Sequence, residues 1–247
     1  MRFVRTLIAI LTAGLPATGF AACTVQSGPG TAALVELYTS EGCSSCPPAD
    51  MQLGKLHPDA QVVPLALHVG YWDALGWRDP YAQDTFARRQ NWLVQLAGRR
   101  TVYTPQFFVG GDEVRASAVA DEVRKLNGQP AQAGIRLQAR ATGGDALAID
   151  ATARSNMDGA ALYVAVAENG LGTQVRAGEN GGRRLGHEHV VRAWLGPFEL
   201  HEGRVELRRN LPLAAGWQHA RLEVVAFVQD QRGGRVLQAV GAGQCGS

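Results

Sequence analysis

The period of the hydrophobic positions changes along the chain and predicts two segments of different architecture. Up to Leu126, short apolar runs alternate with stretches whose apolar residues recur at helical spacing. Beyond Gln129 and Pro130, apolar and polar residues alternate with a period of two, which is typical of half-buried antiparallel strands. We therefore expect an α/β domain over residues 28–128 and an antiparallel, sandwich-like all-β domain over residues 131–247.

The same patterns predict the individual elements. Pro47 and Pro48 fit the opening turn of a helix that begins near Cys46, because first-turn N–H groups have no intrahelical partner. In the first domain we expect strands over residues 33–38, 61–69, 105–109 and 113–115, and further helices over residues 85–97 and 117–126. In the second domain we expect strands over residues 135–140, 146–150, 161–166, 189–194, 204–207 and 222–228.

Residues 1–22 have the pattern of a secretory signal peptide. Arg2 and Arg5 precede a short apolar run, and small residues follow it at Gly19 and Ala21. The apolar run is too short to span a bilayer stably, and the alternative interpretation is a buried N-terminal helix. A lipoprotein anchored through Cys23 is a second alternative. We expect an exported protein, periplasmic or extracellular, with no integral membrane segment after cleavage of the signal.

Composition and charge exclude several classes of protein. Hydrophobic residues make up 46% of the chain and charged residues 19%, which excludes bulk disorder. The formal net charge is +2, and the two arginines of the signal segment account for it. The rest of the chain is balanced, so it has no basic surplus that would favour nucleic acid as a partner.

Cys43 and Cys46 form a CxxC pattern between a predicted strand and a predicted helix. A thiol at the start of a helix is favoured as thiolate, and the thiolate is the attacking species in disulfide exchange. We therefore assign Cys43 as the accessible nucleophile and Cys46 as the resolving cysteine. An inert structural disulfide is the alternative, and a four-thiolate zinc site within one chain is excluded because no second Cys pair is present.

A second motif gives the CxxC a family context. Thr104 and Pro105 open a strand that continues into a Gly-rich turn. With residues 35–50, 68–80 and 189–192, this motif resembles the secreted thioredoxin-like proteins of the domain of unknown function 1223 (DUF1223) family. The resemblance implies a thioredoxin-like domain over about residues 30–127 and a cis-proline loop at Thr104–Pro105, which contacts the substrate beside the first cysteine.

Further side chains are candidates for proton transfer or for contact with a partner. His68 and Glu36 lie on predicted strands, where either could move a proton. Tyr71 and Trp72 could hold a partner beside Cys43. The alternatives are a packing role for Trp72 and an exposed position for Glu36.

The remaining motifs concern a second disulfide and a weak metal signal. Cys23 and Cys245 are expected to join the two termini, with lipidation of Cys23 or two unpaired thiols as alternatives. On a strand, His187 and His189 would share a face, which makes a weak metal pair, and a turn leading into a strand is the alternative. Residues 180–184 are predicted to form a loop, where two arginines could bind an anion.

These observations favour an exported thiol–disulfide oxidoreductase that uses Cys43 and Cys46 and needs no cofactor. Its expected partners are protein or small-molecule thiols and disulfides. One alternative is a non-enzymatic envelope binding module whose CxxC disulfide is structural. Another is a thioredoxin-fold carrier of a metal such as copper, bound by Cys43, Cys46 and His68.

Overall fold

The computed structural model describes residues 22–57, 59, 61–142 and 145–243, and it shows a mixed α/β protein built mostly of strands. The helices are α1 (Pro47–Leu53), α2 (Asp84–Leu96) and α3 (Val119–Asn127), with short 3-10 turns at Asp73–Leu75, Ala116–Ala118 and His219–Arg221. The strands are β1 (Cys23–Gln26), β2 (Ala33–Thr39), β3 (Val62–His68), β4 (Gln106–Val109), β5 (Asp112–Val114), β6 (Ala133–Thr142), β7 (Ala146–Ser155), β8 (Ala160–Glu168), β9 (Leu171–Gln174), β10 (Arg184–His187), β11 (Val190–Glu199), β12 (Arg204–Pro212), β13 (Leu222–Asp230) and β14 (Val236–Gly243).

Eight strands form one sheet in the order β14-β13-β8-β11-β3-β2-β4-β5. Within it, β2 is parallel to β3 and antiparallel to β4. Strands β2, β3 and β8 are buried along their whole length, which agrees with their almost continuous apolar sequences. This sheet forms the scaffold on which the loops after β2 and β3 are placed.

The eight-stranded sheet continues across the predicted domain boundary near Pro130. The last α-helix ends at Asn127, but β11 pairs with β3 in parallel at Val190 and Ala66. The Ala66 N–H also donates to His189 O at 2.8 Å. Without this pairing, β3 would be an edge strand with unpaired backbone groups. The two predicted domains therefore share a sheet.

A second sheet, of order β1-β6-β7-β12, packs against the part of the large sheet formed by β8, β13 and β14. Alternate residues of β6 and β7 point into this interface, as their period-two sequences indicate. Its buried core includes Ile135, Leu137, Leu147, Ile149, Leu162, Val164, Val166, Val224, Val228 and Leu237.

Helices cover both faces of the large sheet. Helix α2 places Phe86 and Leu93 in a cluster that also holds Leu65 of β3, Tyr163 of β8 and Phe227 of β13. It therefore packs on strands from both predicted domains. Helices α1 and α3 lie on the opposite face of β2, β3 and β4, in a smaller apolar cluster.

Four strands, β1, β9, β10 and β14, were not predicted by periodicity; three of them are short, and β14 contains two glycines. Strands β1 and β9 have four residues each, and β10 is also four residues long. Strands β9 and β10 form a two-stranded sheet that is separate from the two larger ones. No helix in the described ranges is long and apolar enough to cross a membrane.

Candidate functional site

The CxxC motif lies in the loop that joins the end of β2 to the start of α1. Cys43 and Cys46 form a disulfide with a Cα–Cα distance of 5.4 Å. The Cys46 N–H donates to Cys43 O at 3.2 Å, which closes a tight turn around Ser44 and Ser45. Pro47 follows as the first helical residue, where its missing N–H costs no helical hydrogen bond.

Both cysteines are buried in this oxidised form. Cys43 is 1% exposed and Cys46 is 0% exposed, whereas Ser44 and Ser45 between them are exposed. The prediction of an accessible Cys43 is therefore wrong for the disulfide state, because other parts of the chain cover the sulfur atoms.

The tip of the β9–β10 hairpin, residues 175–183, lies against the backbone of the CxxC turn, and we call it the cover loop. Its Asn180 is completely buried and donates from Nδ2 to Glu41 O and to Cys43 O, at 2.9 Å each. The neighbouring Glu179 is exposed, and its Oε2 accepts the Ser44 N–H at 2.9 Å. The hydrogen bond from the Ser44 N–H lowers the pKa of Glu179. The cover loop thus holds the CxxC turn through polar contacts to its backbone.

Trp72 connects the CxxC turn to the Thr104–Pro105 loop. The Thr104–Pro105 peptide bond is cis, as the family resemblance implied. Trp72 Nε1 donates to Thr104 Oγ1 at 2.8 Å, and a Cβ atom on Gly42 would lie 2.8 Å from Trp72 Cβ. Tyr71 is 44% exposed beside it. Trp72 packs between the two loops, and Tyr71 remains available to a partner.

His68 is buried at the end of β3 and is paired with Asp79. His68 Nδ1 donates to Asp79 Oδ2 at 2.7 Å, and the same oxygen accepts the Glu41 N–H at 2.8 Å. Burial alone would lower the pKa of His68, but the Asp79 carboxylate, together with Asp50 and Glu41, outweighs burial and raises it. Burial likewise acts to raise the pKa of Asp79, and the interaction with His68 lowers it below the usual range. The pair therefore favours a charged imidazolium–carboxylate arrangement.

Glu41 and His187 form a second buried pair next to the first. Glu41 Oε1 accepts from His187 Nε2 at 3.0 Å, and Glu41 Oε2 accepts from Trp77 Nε1 at 2.8 Å. The rings of His68 and His187 meet edge to face, with centroids 5.0 Å apart. Because Glu41 precedes Cys43 by two residues, this network connects the CxxC turn to the base of the β9–β10 hairpin.

Asp50 is the acid nearest to Cys46 along the helix, and it is partly buried, with its Oδ1 atom enclosed. Its N–H donates to Cys46 O at 3.0 Å, so the two side chains lie one turn apart on the same side of α1. Burial raises the pKa of Asp50, and the nearby His68 acts against that shift. Five buried polar atoms find no protein partner among the described residues, namely Thr39 Oγ1, Asp50 Oδ1, His68 Nε2, Gln106 Nε2 and His187 Nδ1.

Glu36 does not belong to this network. It is 1% exposed, so the expectation of an exposed strand residue is wrong. Its two carboxylate oxygens accept from Arg89 Nε at 2.6 Å and Arg89 Nη2 at 2.9 Å. Residues 36 and 39 of β2 point to opposite faces, and the Glu36 face packs on α2. Glu36 is therefore a structural ion-pair partner and is removed from the proton-transfer candidates.

His187 and His189 do not share a strand face. Strand β10 ends at His187, and His189 has a positive φ of 56° before β11 begins. His189 contacts Glu223 Oε2 at 3.1 Å and Leu56 O at 3.0 Å, so the two histidines have different partners. In the ranges that the structure describes, no three His, Cys, Asp or Glu side chains form a group that could hold a metal ion.

The predicted bridge between the termini involves a residue outside the described ranges. Cys23 begins β1, but Cys245 is not among the described residues, and neither is the signal segment up to residue 21. The Cys23–Cys245 bridge thus stays a prediction.

Sequence reasoning missed four residues of the site, namely Glu41, Asp50, Asp79 and Asn180, and it missed the role of His187. Helical spacing could have indicated one of them, because Asp50 follows Cys46 by four positions. Glu41 lies in the CxxC loop itself, but Asp79, Asn180 and His187 lie on other elements, and no local pattern connects them to the cysteines.

Comparison with known proteins identifies related sequences and structures. The sequence model of a family described as a protein of unknown function (DUF1223) matches residues 34–229. No curated protein matches the chain. A crystal structure of an Agrobacterium tumefaciens protein is 26% identical, with a TM-score of 0.62, over 87% of this chain and 96% of the other. The structure of HBP35 of Porphyromonas gingivalis is 18% identical, with a TM-score of 0.65, over 87% of this chain and 76% of the other. The likeness to HBP35 concerns the fold alone.

Proposed function

This chain belongs to the DUF1223 family, and we propose that within it the Cys43–Cys46 pair carries out thiol–disulfide exchange. The observation that carries the proposal is the disulfide itself, which closes between β2 and α1. The cis peptide bond at Thr104–Pro105 lies close by, connected through Trp72. The order of elements supports the choice of site, because reactive CxxC pairs occur where a strand passes into a helix.

The topology around the disulfide supports a thioredoxin-like arrangement of residues 28–128. Strands β3, β2, β4 and β5 are adjacent in that order, with α1 and α3 on one face and α2 on the other. The packing of two antiparallel layers supports a sandwich-like arrangement of residues 131–247. We extend the proposal to export from the cytoplasm, on the pattern of residues 1–22.

The proposed exchange moves two electrons between the protein and a partner. In the reducing direction, the Cys43 thiolate attacks a partner disulfide, forms a mixed disulfide and releases one partner sulfur as thiolate. The Cys46 thiol loses its proton and attacks Cys43 Sγ. This attack breaks the mixed disulfide, releases the second partner sulfur and forms the Cys43–Cys46 bond. The partner gains two electrons, and its two thiolates take up the proton released by Cys46 and one proton from solvent. The reverse reaction breaks and forms the same bonds in the opposite order.

Asp50 is the group we assign to receive the proton of Cys46. Its position one turn beyond Cys46 and its raised pKa suit a partly buried carboxylate that alternates between its two protonation states. The unpartnered Asp50 Oδ1, His68 Nε2 and Thr39 Oγ1 offer hydrogen-bonding sites that a buried water molecule can connect. His68 and Asp79 then stabilise the charge that remains after proton transfer.

The burial of both sulfur atoms favours one further function, a non-enzymatic module with a structural disulfide. Cys43 and Cys46 are as buried as core residues, which is common for inert bridges and uncommon for an attacking thiol. The two functions predict different reduction potentials for the Cys43–Cys46 disulfide, because structural disulfides typically have potentials below about −300 mV.

A trapping experiment in cells separates the two functions. The Cys46→Ala variant leaves Cys43 without its resolving partner, so an exchanging protein should accumulate mixed disulfides that a reductant removes. The matched control is the double variant Cys43→Ser with Cys46→Ala, which retains Cys23 and Cys245 and should yield none. Equal adducts in both variants, together with a potential below about −300 mV, would contradict exchange at Cys43 and support the structural module.

A further inference from the structure

We propose that the cover loop, residues 175–183, is a displaceable flap over the Cys43–Cys46 disulfide, that Asn180 is its latch, and that the partner which displaces it is a polypeptide segment. This inference rests on the proposed exchange function. It adds the step that must precede the exchange and the class of molecule that performs it.

The latch consists of hydrogen bonds from one side chain to the backbone of the CxxC turn. Asn180 is 0% exposed, and its Nδ2 atom donates to Glu41 O and Cys43 O at 2.9 Å each. Arg183 Nη1 donates to Asn180 Oδ1 at 2.7 Å, so the amide orientation is set from both ends. Together with the contact from Ser44 N–H to Glu179, these bonds hold the cover loop against the turn.

The tip of the hairpin, which carries the cover loop, can move as a unit. Strands β9 and β10 form their own two-stranded sheet and, within the part of the chain that the structure describes, share no strand pairing with the larger sheets. Within the tip, the Gly182 N–H donates to Val175 O at 2.9 Å and the Val175 N–H donates to Arg183 O at 2.9 Å. These internal bonds stay formed if the tip leaves the CxxC turn. The base remains attached through His187 and Glu41, which lets the tip swing while the hairpin stays in place.

The groups that the cover loop would release indicate what replaces it. Displacement frees two acceptors, Glu41 O and Cys43 O, and one donor, the Ser44 N–H. An extended polypeptide offers N–H donors and C=O acceptors along its backbone and can satisfy all three groups at once. A small dithiol can attack a sulfur atom, but it leaves these three groups to hydrogen-bond with water. It therefore gains less binding free energy from displacing the cover loop than a polypeptide does.

The rate at which dithiothreitol reduces the Cys43–Cys46 disulfide tests the latch in the full chain. Alkylation and mass spectrometry of the peptide that contains both cysteines separates this disulfide from any other. Asn180→Ala removes the two donated hydrogen bonds, and we expect the rate constant to rise roughly tenfold to thirtyfold. Asn156→Ala, which changes an exposed asparagine in a turn, is the matched control and should leave the rate unchanged.

A second variant tests the latch without touching a buried residue. Glu179→Gln keeps an acceptor for the Ser44 N–H but weakens the bond, because a neutral amide accepts less strongly than a carboxylate. We expect a rate increase of about threefold. If dithiothreitol reduces the Cys43–Cys46 disulfide of both Asn180→Ala and Glu179→Gln at the wild-type rate, the cover loop does not limit access to the disulfide. The flap is then refuted.

The trapping variant Cys46→Ala tests the class of partner. Adducts with proteins support the polypeptide segment, whereas an adduct with glutathione alone overturns that part of the inference. The failure of exchange is distinguishable from the failure of the flap. Without any trapped partner the proposed function fails, while the dithiothreitol rates still report whether the loop covers the disulfide.

Discussion

Replacing Arg89 by methionine should destabilise the protein far more than the same change at the adjacent Arg88. Arg89 is 7% exposed and gives two hydrogen bonds to Glu36, at 2.6 and 2.9 Å, and a third to Gln229 Oε1 at 3.0 Å. Its guanidinium carbon lies 4.8–5.7 Å from the centres of four aromatic rings, those of Trp92, Tyr163, Trp194 and Phe227. Arg88, by contrast, is exposed.

The expected loss of stability follows from the charge that Arg89→Met leaves unpaired. The variant keeps Glu36 buried without its partner, and removing one member of a buried ion pair costs about 3–5 kcal/mol. For a protein of this size, 1 kcal/mol corresponds to about 2–4 °C in Tm, so we expect a decrease of roughly 6–20 °C. An exposed substitution such as Arg88→Met is expected to stay within about 0.5 kcal/mol.

Thermal and urea unfolding of the oxidised protein measures the difference between the two variants. A third variant, Glu36→Leu with Arg89→Met, removes both charges and should be more stable than Arg89→Met alone. The reasoning is refuted if Arg89→Met and Arg88→Met unfold at the same temperature and the same urea concentration. It is also refuted if the double variant is less stable than Arg89→Met, because an unpaired Glu36 charge would then not be the cause.

Two further predictions concern the proton network and the backbone. The pKa of His68 is raised beside Asp79, so its charged form stabilises the fold below the unfolded-state pKa near 6.5, and this contribution is lost as pH rises through the folded pKa. Urea titrations should therefore show a larger cost of His68→Asn at about pH 5.5 than at about pH 9, and an equal cost would contradict the pairing. Gly111→Ala would place Cβ 2.0 Å from Gly234 O at φ 98°, whereas Gly216→Ala, at φ 90°, meets nothing within 4 Å. Both variants carry about 1 kcal/mol of positive-φ strain, so Gly111→Ala should unfold at a clearly lower urea concentration, and equal midpoints would argue against the close approach.

Local patterns in the sequence determined most of the secondary structure and the location of the CxxC turn. Predicted and observed elements agree closely where the apolar period is strong. For example, the helix predicted over residues 85–97 is observed as Asp84–Leu96, and the strand predicted over residues 61–69 as Val62–His68. The Cys43–Cys46 ring also follows from sequence, because a four-residue turn before a helix brings the two thiols together.

Tertiary structure alone decided the chemical surroundings of that ring. Asn180 lies 137 residues from Cys43, and His187 lies 146 residues from Glu41, so only strand order and register bring these groups together. The role of Glu36 also depended on the tertiary structure. It looked like a candidate proton acceptor near the CxxC, but strand alternation turned it to the face where Arg89 of α2 is buried.

The shared sheet is the second feature that only the tertiary structure decided. The change of period near Pro130 correctly locates the end of the last α-helix, at Asn127, yet β11 joins β3 and extends one sheet through both segments. A strand sequence specifies which of its faces is apolar, because side chains alternate. The backbone N–H and C=O groups along its edges are the same for every possible neighbouring strand. Which strand becomes the neighbour therefore depends on the packing of the whole molecule.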